Sequence, residues 1–312
     1  MPPGAWTALT ECPLCGGQEL KLFRMASDAH YRIPGCYRID ECRQCALVFL
    51  NPQPDCASLM ALYPKDSYYA YHDHSIKPPA LKRLLSRWLL NIETKDPIFS
   101  APGKFLDVGC GSGAYLNKMR ASGWETFGVE VSQAAAETGQ KLKLNIFNGT
   151  LTEAAFPEAS FDYIRLNHSL EHILDPNETI AEIRRILKPS GKLMIGVPNI
   201  ASATFRIFDL WWYYLAPPIH IFHYTPATLS LLLEKHGLIP ERVEYNSNYH
   251  GLLEGFQIML NRGTSHTADE GWLANSRILR VLAHRAAKVF DLLKVGDCME
   301  ITARPRGTSC PK

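Results

Sequence analysis

Four of the nine cysteines fall in two pairs, Cys12-Pro-Leu-Cys15 and Cys42-Arg-Gln-Cys45. Two residues between thiols let a tight turn aim both sulfurs at one ion. Two such turns complete the tetrahedral four-thiolate shell of a structural zinc site. Gly16 and Gly17 follow the first pair and give its turn a flexible exit. A redox pair would need a single such turn beside a βαβ unit, not two within sixty residues. Cys36 and Cys56 belong to neither pair and are the alternative ligands. A closed shell leaves no position for water, so the predicted zinc is a staple and not a catalyst.

A second group with chemical potential is the loop Gly109-Cys110-Gly111-Ser112-Gly113, which follows the apolar run Phe105-Leu106-Asp107-Val108. Glycines turn the chain sharply and let a ligand approach main-chain N–H groups without a Cβ clash. Gly109, Gly111 and Ala114 satisfy a dinucleotide-type fingerprint, and Glu130 lies 21 positions after Gly109. A carboxylate there can accept both ribose hydroxyl protons, of NAD or of another adenosine ligand. The loop alone does not choose between them. The third group is imidazole-rich: His168, His172, His220 and His223, with Glu171, are candidate bases for a hydroxyl or carbon-acid nucleophile.

The elements that must position these groups read as strands at Lys104–Val108, Thr126–Val131, Leu144–Phe147, Tyr163–Leu166 and Leu193–Val197. Helices are expected between them near 114–122, 132–141 and 177–187. Strands alternating with helices imply a parallel sheet covered on both faces, doubly wound and Rossmann-like. Glu241–Tyr245 and Cys298–Ala303 read as two final antiparallel strands. Thr225 before Pro226 marks a helix start. Two further helices are basic and amphipathic, at residues 80–92 and 276–295. Each suits core packing or a solvated face, or contact with anionic groups such as a membrane surface or a diphosphate. The tyrosines of Ser67–Tyr71 and the run Trp211-Trp212-Tyr213-Tyr214 suit either a ligand pocket or aromatic packing.

Composition bounds the rest. The chain has 312 residues, 46% hydrophobic and 21% charged, as in a soluble globular chain of one or two domains. Its net charge of +2 gives no strong sign of nucleic-acid binding. No stretch reads as a transmembrane helix. Residues 1–12 lack the basic-then-apolar order of a secretory signal, so the cytoplasm is the expected compartment.

The company of the glycine loop carries a resemblance. LDVGCGSG (106–113), GVE (128–130), FD (161–162), SLEHILDP (169–176), LKPSGKLMIGVPN (187–199) and HIFHYTPATLSLLLEKHGL (220–238) together resemble a class I S-adenosylmethionine-dependent methyltransferase. With CPLCG (12–16) and CRQCALVFLNPQP (42–54), the chain resembles a narrower group that joins an N-terminal zinc ribbon to that fold and includes methyltransferases of nucleotide-linked sugars. The resemblance implies a seven-stranded methyltransferase sheet. It implies that Gly109 and Gly111 hold the amino-acid end of the cofactor near Asp107, and that Glu130 holds the ribose. Asn148-Gly149-Thr150 replaces the acidic residue such enzymes often place beside adenine, and an amide there still suits the adenine edge. Asn167 and His168 match positions flanking the reactive methyl. His220 matches the histidine assigned as base in sugar-methylating relatives, with His223 and His168 as alternatives.

The expected organisation is a zinc ribbon at 1–60, a helical, substrate-facing linker at 61–102, and a methyltransferase domain at 103–305. That domain carries insertions at 200–225 and 249–296, and a tail follows at 306–312. The expected substrate is a small molecule, a sugar or nucleotide-linked sugar foremost. Rival readings are an RNA-modifying methyltransferase gripping nucleic acid through the ribbon, and a non-enzymatic module that kept the fold. A nicotinamide oxidoreductase fits least, because SLEHILDP and LKPSGK have no place in its signature.

Overall fold

The computed structural model describes residues 4–63, 97–262, 264, 266–268 and 270–307. The tyrosines of 67–71, the amphipathic helix expected at 80–92 and most of the linker at 61–102 lie outside the described residues.

The larger sheet has seven strands: β6 (Lys104–Val108), β7 (Glu125–Glu130), β8 (Asn145–Asn148), β9 (Phe161–Asn167), β10 (Leu187–Pro198), β12 (Leu238–Tyr245) and β13 (Cys298–Pro305). Their order is β12-β13-β10-β9-β6-β7-β8. The five central and outer strands from β10 to β8 run parallel, and β13 pairs antiparallel with both β10 and β12. Phe105, Leu106, Ile164, Leu166, Leu193 and Ile195 are wholly buried, as expected for strands covered on both faces. The chain winds outward from β6 in one direction and, after β8, returns to place β9 on its other side. That reversal opens a crevice at the carboxyl ends of β6 and β9, where such sheets bind ligands. The expected strands and helices recur within a few residues, save that β10 begins at Leu187, ahead of the Pro189-Ser190-Gly191 turn residues that concealed its first half.

Helix starts follow local chemistry. Ser132 accepts from Ala135 N, Asp175 from Glu178 N ahead of the helix Pro176–Ile186, and Thr225 from Thr228 N with Pro226 in the first turn. The insertion expected at 249–296 folds as a π-turn at His250–Glu254 and helices Gly255–Leu260, Trp272–Asn275 and Arg277–Leu292.

A second, antiparallel sheet has the order β11-β4-β3-β2, from β2 (Leu20–Ala26), β3 (Tyr37–Cys42), β4 (Val48–Leu50) and β11 (Phe222–His223), and two short strands, β1 (Trp6–Thr7) and β5 (Gln53–Pro54), pair with each other. Its fourth strand comes from far along the chain: Phe222 pairs with Phe49, and His223 with Val48. Asn177 Nδ2 and Lys235 Nζ donate to the carbonyls of Pro13 and Leu14, inside the first cysteine turn, each at 2.7 Å. Leu14, Leu47 and Phe49 share one buried core with Leu106, Leu166 and Leu229. The N-terminal ribbon is therefore built into the larger fold. No helix of the described residues is long and apolar enough to cross a membrane.

Candidate cofactor cleft and histidine cluster

The two cysteine turns are copies of one backbone design. In each, the residue four positions after the first cysteine returns its N–H to that cysteine's carbonyl: Gly16 to Cys12 and Ala46 to Cys42, both at 2.9 Å. Each of those residues has positive φ, 73° for Gly16 and 61° for Ala46. The turns bring Cys12 Sγ to 3.5 Å from Cys45 Sγ and Cys15 Sγ to 3.6 Å from Cys42 Sγ, with all four sulfurs within 4.8 Å of one another. A tetrahedral zinc with bonds of about 2.3 Å holds its sulfurs roughly 3.8 Å apart, so the cluster fits the ion. Burial pushes the Cys12 thiol up to about 11. Four thiols this close do not ionise together without a cation, which a divalent metal supplies. Cys36 and Cys56 are exposed and stand apart from the cluster.

At the crevice the glycine loop turns through three positive φ angles: 76° at Gly109, 53° at Gly111 and 81° at Gly113. At Gly109 a Cβ would stand 2.6 Å from Ser169 Cβ, so only glycine lets the two strand ends approach. Glu130 ends β7 facing this loop. One oxygen accepts Gly111 N and the other Ser132 N, each at 2.8 Å. Burial raises its pKa against those backbone donors. Two N–H groups thus fix a carboxylate that keeps lone pairs for a diol. Asn148, ending β8, donates its amide to the carbonyls of Glu130 and Val131 at 2.9 and 3.2 Å. Thr150 donates through N and Oγ1 to Glu153 at 2.7 and 2.9 Å. Glu153 is thus an acid beside the segment Asn148-Gly149-Thr150.

Asp107, on β6, faces Arg165 on β9. The guanidinium lies 3.2 and 3.3 Å from the two carboxylate oxygens and 3.9 Å over the Tyr115 ring. Both partners are buried. Sequence reading passed over Arg165, although an arginine in the apolar strand Phe161–Asn167 was the signal. Asn167 ends β9 with its Oδ1 over β10, where a Cβ on Gly196 would meet it at 2.6 Å.

The histidines gather beyond β9. The turn Leu170–His172 is joined to residue 221 by Ile221 N donating to Glu171 O at 2.8 Å. That bond brings His172 beside His220, with ring centres 4.7 Å apart. His220 Nδ1 lies 2.7 Å from Tyr214 O, and His172 Nδ1 lies 3.1 Å from Ile219 O. A carbonyl only accepts, so both Nδ1 atoms carry the proton and both Nε2 atoms carry a lone pair. Burial holds both imidazoles below the ordinary histidine range, His220 strongly. Helix capping next door falls to Asp175, not to His172.

His168 and His223 differ from that pair. Burial works against an imidazolium at His168, but Cys298 and Glu171 outweigh it and raise its pKa. Its Nδ1 lies 3.4 Å from Glu171 Oε1. His223 sits on β11, buried, with its pKa lowered by burial to about 4. Among the four, His172 and His220 are the neutral imidazoles with a fixed tautomer, and burial lowers His220 the more strongly. Tyr63, the last described residue before the linker, has its ring 6.0 Å from His172.

The aromatic run divides. Trp212 and Tyr214 are buried with Phe205, Phe208 and the ribbon residues Ile39 and Val48. Trp212 Nε1 donates to Thr204 Oγ1 at 3.0 Å, and Thr204 donates to Asp297. Tyr213 lies against His30 and His250, with ring centres 4.2 and 5.3 Å away. The first pair is packing.

The methyltransferase domain family matches residues 76–241, just over half of the chain. An uncharacterized 37.1 kDa protein of transposon TN4556 from Streptomyces fradiae is 26% identical over 215 residues, covering 62% of this chain and 61% of that protein. A ubiquinone biosynthesis O-methyltransferase of Thiobacillus denitrificans is 30% identical over 134 residues, covering 40% of this chain and 53% of that one. The chain thus spans between half and six-tenths of the length of these curated relatives. Among solved structures, a SAM-dependent methyltransferase from Archaeoglobus fulgidus aligns with TM-score 0.47 and 21% identity, over 72% of this chain and 93% of that chain.

Proposed function

From the premise that this chain belongs to the methyltransferase domain family, we propose that it transfers a methyl group from S-adenosylmethionine to a small-molecule acceptor. A sugar or nucleotide-linked sugar is the foremost class, and the acceptor atom is a hydroxyl oxygen or an acidic carbon. The observation that carries the reading is Glu130. Its carboxylate is fixed by the N–H groups of Gly111 and Ser132, at the crevice and facing the glycine loop. That arrangement suits the ribose diol, with Gly109 and Gly111 alongside the amino-acid end and Asn148 near the base.

Bound S-adenosylmethionine supplies a methyl group on a sulfonium, already activated toward nucleophiles. What remains for the chain is positioning and proton handling. Asp107 is neutralised by Arg165 and holds the strand ends under the glycine loop. Asn167 and His168 flank the space above β9. His220 presents its neutral Nε2 to an acceptor, with Tyr214 O fixing the tautomer, so it takes the acceptor's proton. Cys12, Cys15, Cys42 and Cys45 hold a structural zinc, which keeps β4 in place for β11 and thus supports the segment that carries His220.

The test is calorimetric titration of zinc-replete protein with S-adenosylmethionine and, separately, NAD, followed by a search for a mass gain of one methyl on nucleotide sugars. Micromolar binding of the sulfonium compound alone supports the reading. Binding of NAD instead, or of neither, overturns it. If His220 is the base, the low pKa of its imidazole places no limb of the pH–rate profile near 6.5.

A further inference from the structure

Glu171, His172 and His220 form a cluster that proton transfer by one imidazole leaves unexplained. One ligand-type atom from each lies within 4.8 Å of the other two. The two imidazoles give their Nδ1–H groups to Ile219 O and Tyr214 O, so the lone pair each can offer an ion is on Nε2. Glu171 is 1% exposed, and neither of its carboxylate oxygens has a hydrogen-bond partner among the described residues. His168 Nδ1 lies 3.4 Å from Oε1, at ion-pair distance. Two imidazoles and a buried carboxylate that lacks a hydrogen-bond partner among the described residues thus share one cluster, with His168 alongside offsetting part of the charge. A buried, unpartnered carboxylate is costly unless a cation compensates it.

We infer that Glu171, His172 and His220 bind a divalent first-row transition ion, distinct from the four-thiolate zinc, whose remaining positions take oxygen atoms of the acceptor. Two imidazoles and one carboxylate are the donor set such ions prefer, and it leaves coordination positions open. Backbone carbonyls on the far ring nitrogens are what orients metal-bound histidine elsewhere. Bonds of about 2.1 Å place neighbouring ligand atoms roughly 3 Å apart, so the cluster contracts on binding, chiefly by rotation of the Glu171 side chain. His223 lies alongside, its ring centre 6.3 Å from that of His220, and its buried Nε2 also lacks a hydrogen-bond partner among the described residues.

The inference rests on the methyltransferase reading for its purpose and changes one part of it, turning His220 from proton acceptor into metal ligand. With an ion present, the His220 lone pair is committed to the metal. An acceptor hydroxyl bound there would lose its proton to water more readily, and its oxygen would then displace the methyl group from the sulfonium, whose carbon–sulfur bond breaks with the electron pair left on sulfur.

The experiment titrates zinc-replete, full-length protein with Co2+ and, separately, Mn2+, by calorimetry and by electron paramagnetic resonance of free Mn2+. One equivalent beyond the thiolate site is expected, without the sulfur-to-cobalt absorption that thiolate ligation gives. Glu171→Gln and His172→Gln should each weaken it roughly 100-fold or more. Where one variant fails to fold by circular dichroism, the other carries the comparison. No additional equivalent, a thiolate signature, or unchanged binding in the folded variants overturns the site. S-adenosylmethionine titration of the same samples separates the two claims. Cofactor binding without the extra ion removes only the metal; the extra ion without cofactor binding removes the methyltransferase reading and keeps the metal.

Discussion

The four cysteines and the histidine–carboxylate cluster are built from the same kind of part and reach opposite states. Each takes ligand-type side chains from two separate segments and holds them within 4.8 Å. In the cysteine cluster every group is a thiol, the two turns repeat one backbone pattern, and the number of sulfurs suits a four-coordinate ion. In the histidine cluster two imidazoles and one carboxylate supply only three ligand atoms. A saturated shell holds structure, whereas an unsaturated one leaves room for a reactant. The difference lies in ligand count and not in ligand strength.

The sharpest way to break the comparison is to remove one ligand from the saturated shell. Cys42→Ser is expected to abolish stoichiometric zinc and to destabilise the protein by several kcal/mol, on the order of half the folding energy that small zinc modules take from their metal. Metal analysis and thermal unfolding check it. The loss should extend to residues 220–223, because β11 pairs with β4, and hydrogen exchange at Phe222 and His223 reads that directly.

A third buried carboxylate calibrates the cost of an incompletely satisfied acid. Asp297 is buried under the aromatic run with Thr204 and Trp212 as donors, yet its Oδ2 has no hydrogen-bond partner among the described residues. Burial raises its pKa to about 7. Between pH 4 and 7 the folded state keeps a proton that the unfolded chain has released, so stability falls as pH rises through that window. Asp297→Asn should lack this slope. Its stability relative to the parent should grow from pH 4 to pH 8 by about 2–4 kcal/mol, at roughly 1.4 kcal/mol per unit. Denaturant midpoints at several pH values check the sign.

Glu130 is the counter-case, an acid satisfied by backbone donors and still open to a ligand. Glu130→Ala should weaken S-adenosylmethionine binding about 10- to 100-fold, or roughly 1.4–2.8 kcal/mol, with zinc content unchanged. Calorimetry on the variant checks both. The smallest effect lies in the saturated shell's own turns. Gly16→Ala adds a Cβ that meets nothing within 4 Å, so its cost is backbone strain at φ +73° alone. That is about 1 kcal/mol, readable in thermal unfolding. Ala46 already bears this strain in the sister turn.

The same contrast explains what was legible in the sequence. The cysteine cluster depends on spacing within two short turns, so CxxC twice was enough to place four ligands. The five parallel strands were legible because buried parallel strands are near-continuous apolar runs. Glu130 followed from its distance to Gly109. The histidine cluster depends on a hydrogen bond between residues 171 and 221 and on which ring nitrogen faces a carbonyl. Periodicity carries neither fact. Hence four histidines and Glu171 were all candidates, and only the structure separates a neutral His220 from a His168 raised by its neighbours. Arg165 was hidden for a related reason: a cation in an apolar strand is explained only once Asp107 lies in register beside it. The aromatic run offered two roles, and burial assigns Trp212 and Tyr214 to packing.

Two backbone pairings, Phe222 to Phe49 and His223 to Val48, have a consequence for ancestry. A module joined by a linker is gained, lost or exchanged as a unit. Here a genetic joint placed anywhere between residues 54 and 222 separates strands of one sheet. An exchanged ribbon would arrive without its fourth strand, and the segment bearing His220 would lose the edge on which it is laid. The ribbon and the far end of the fold are thus bound to be inherited together.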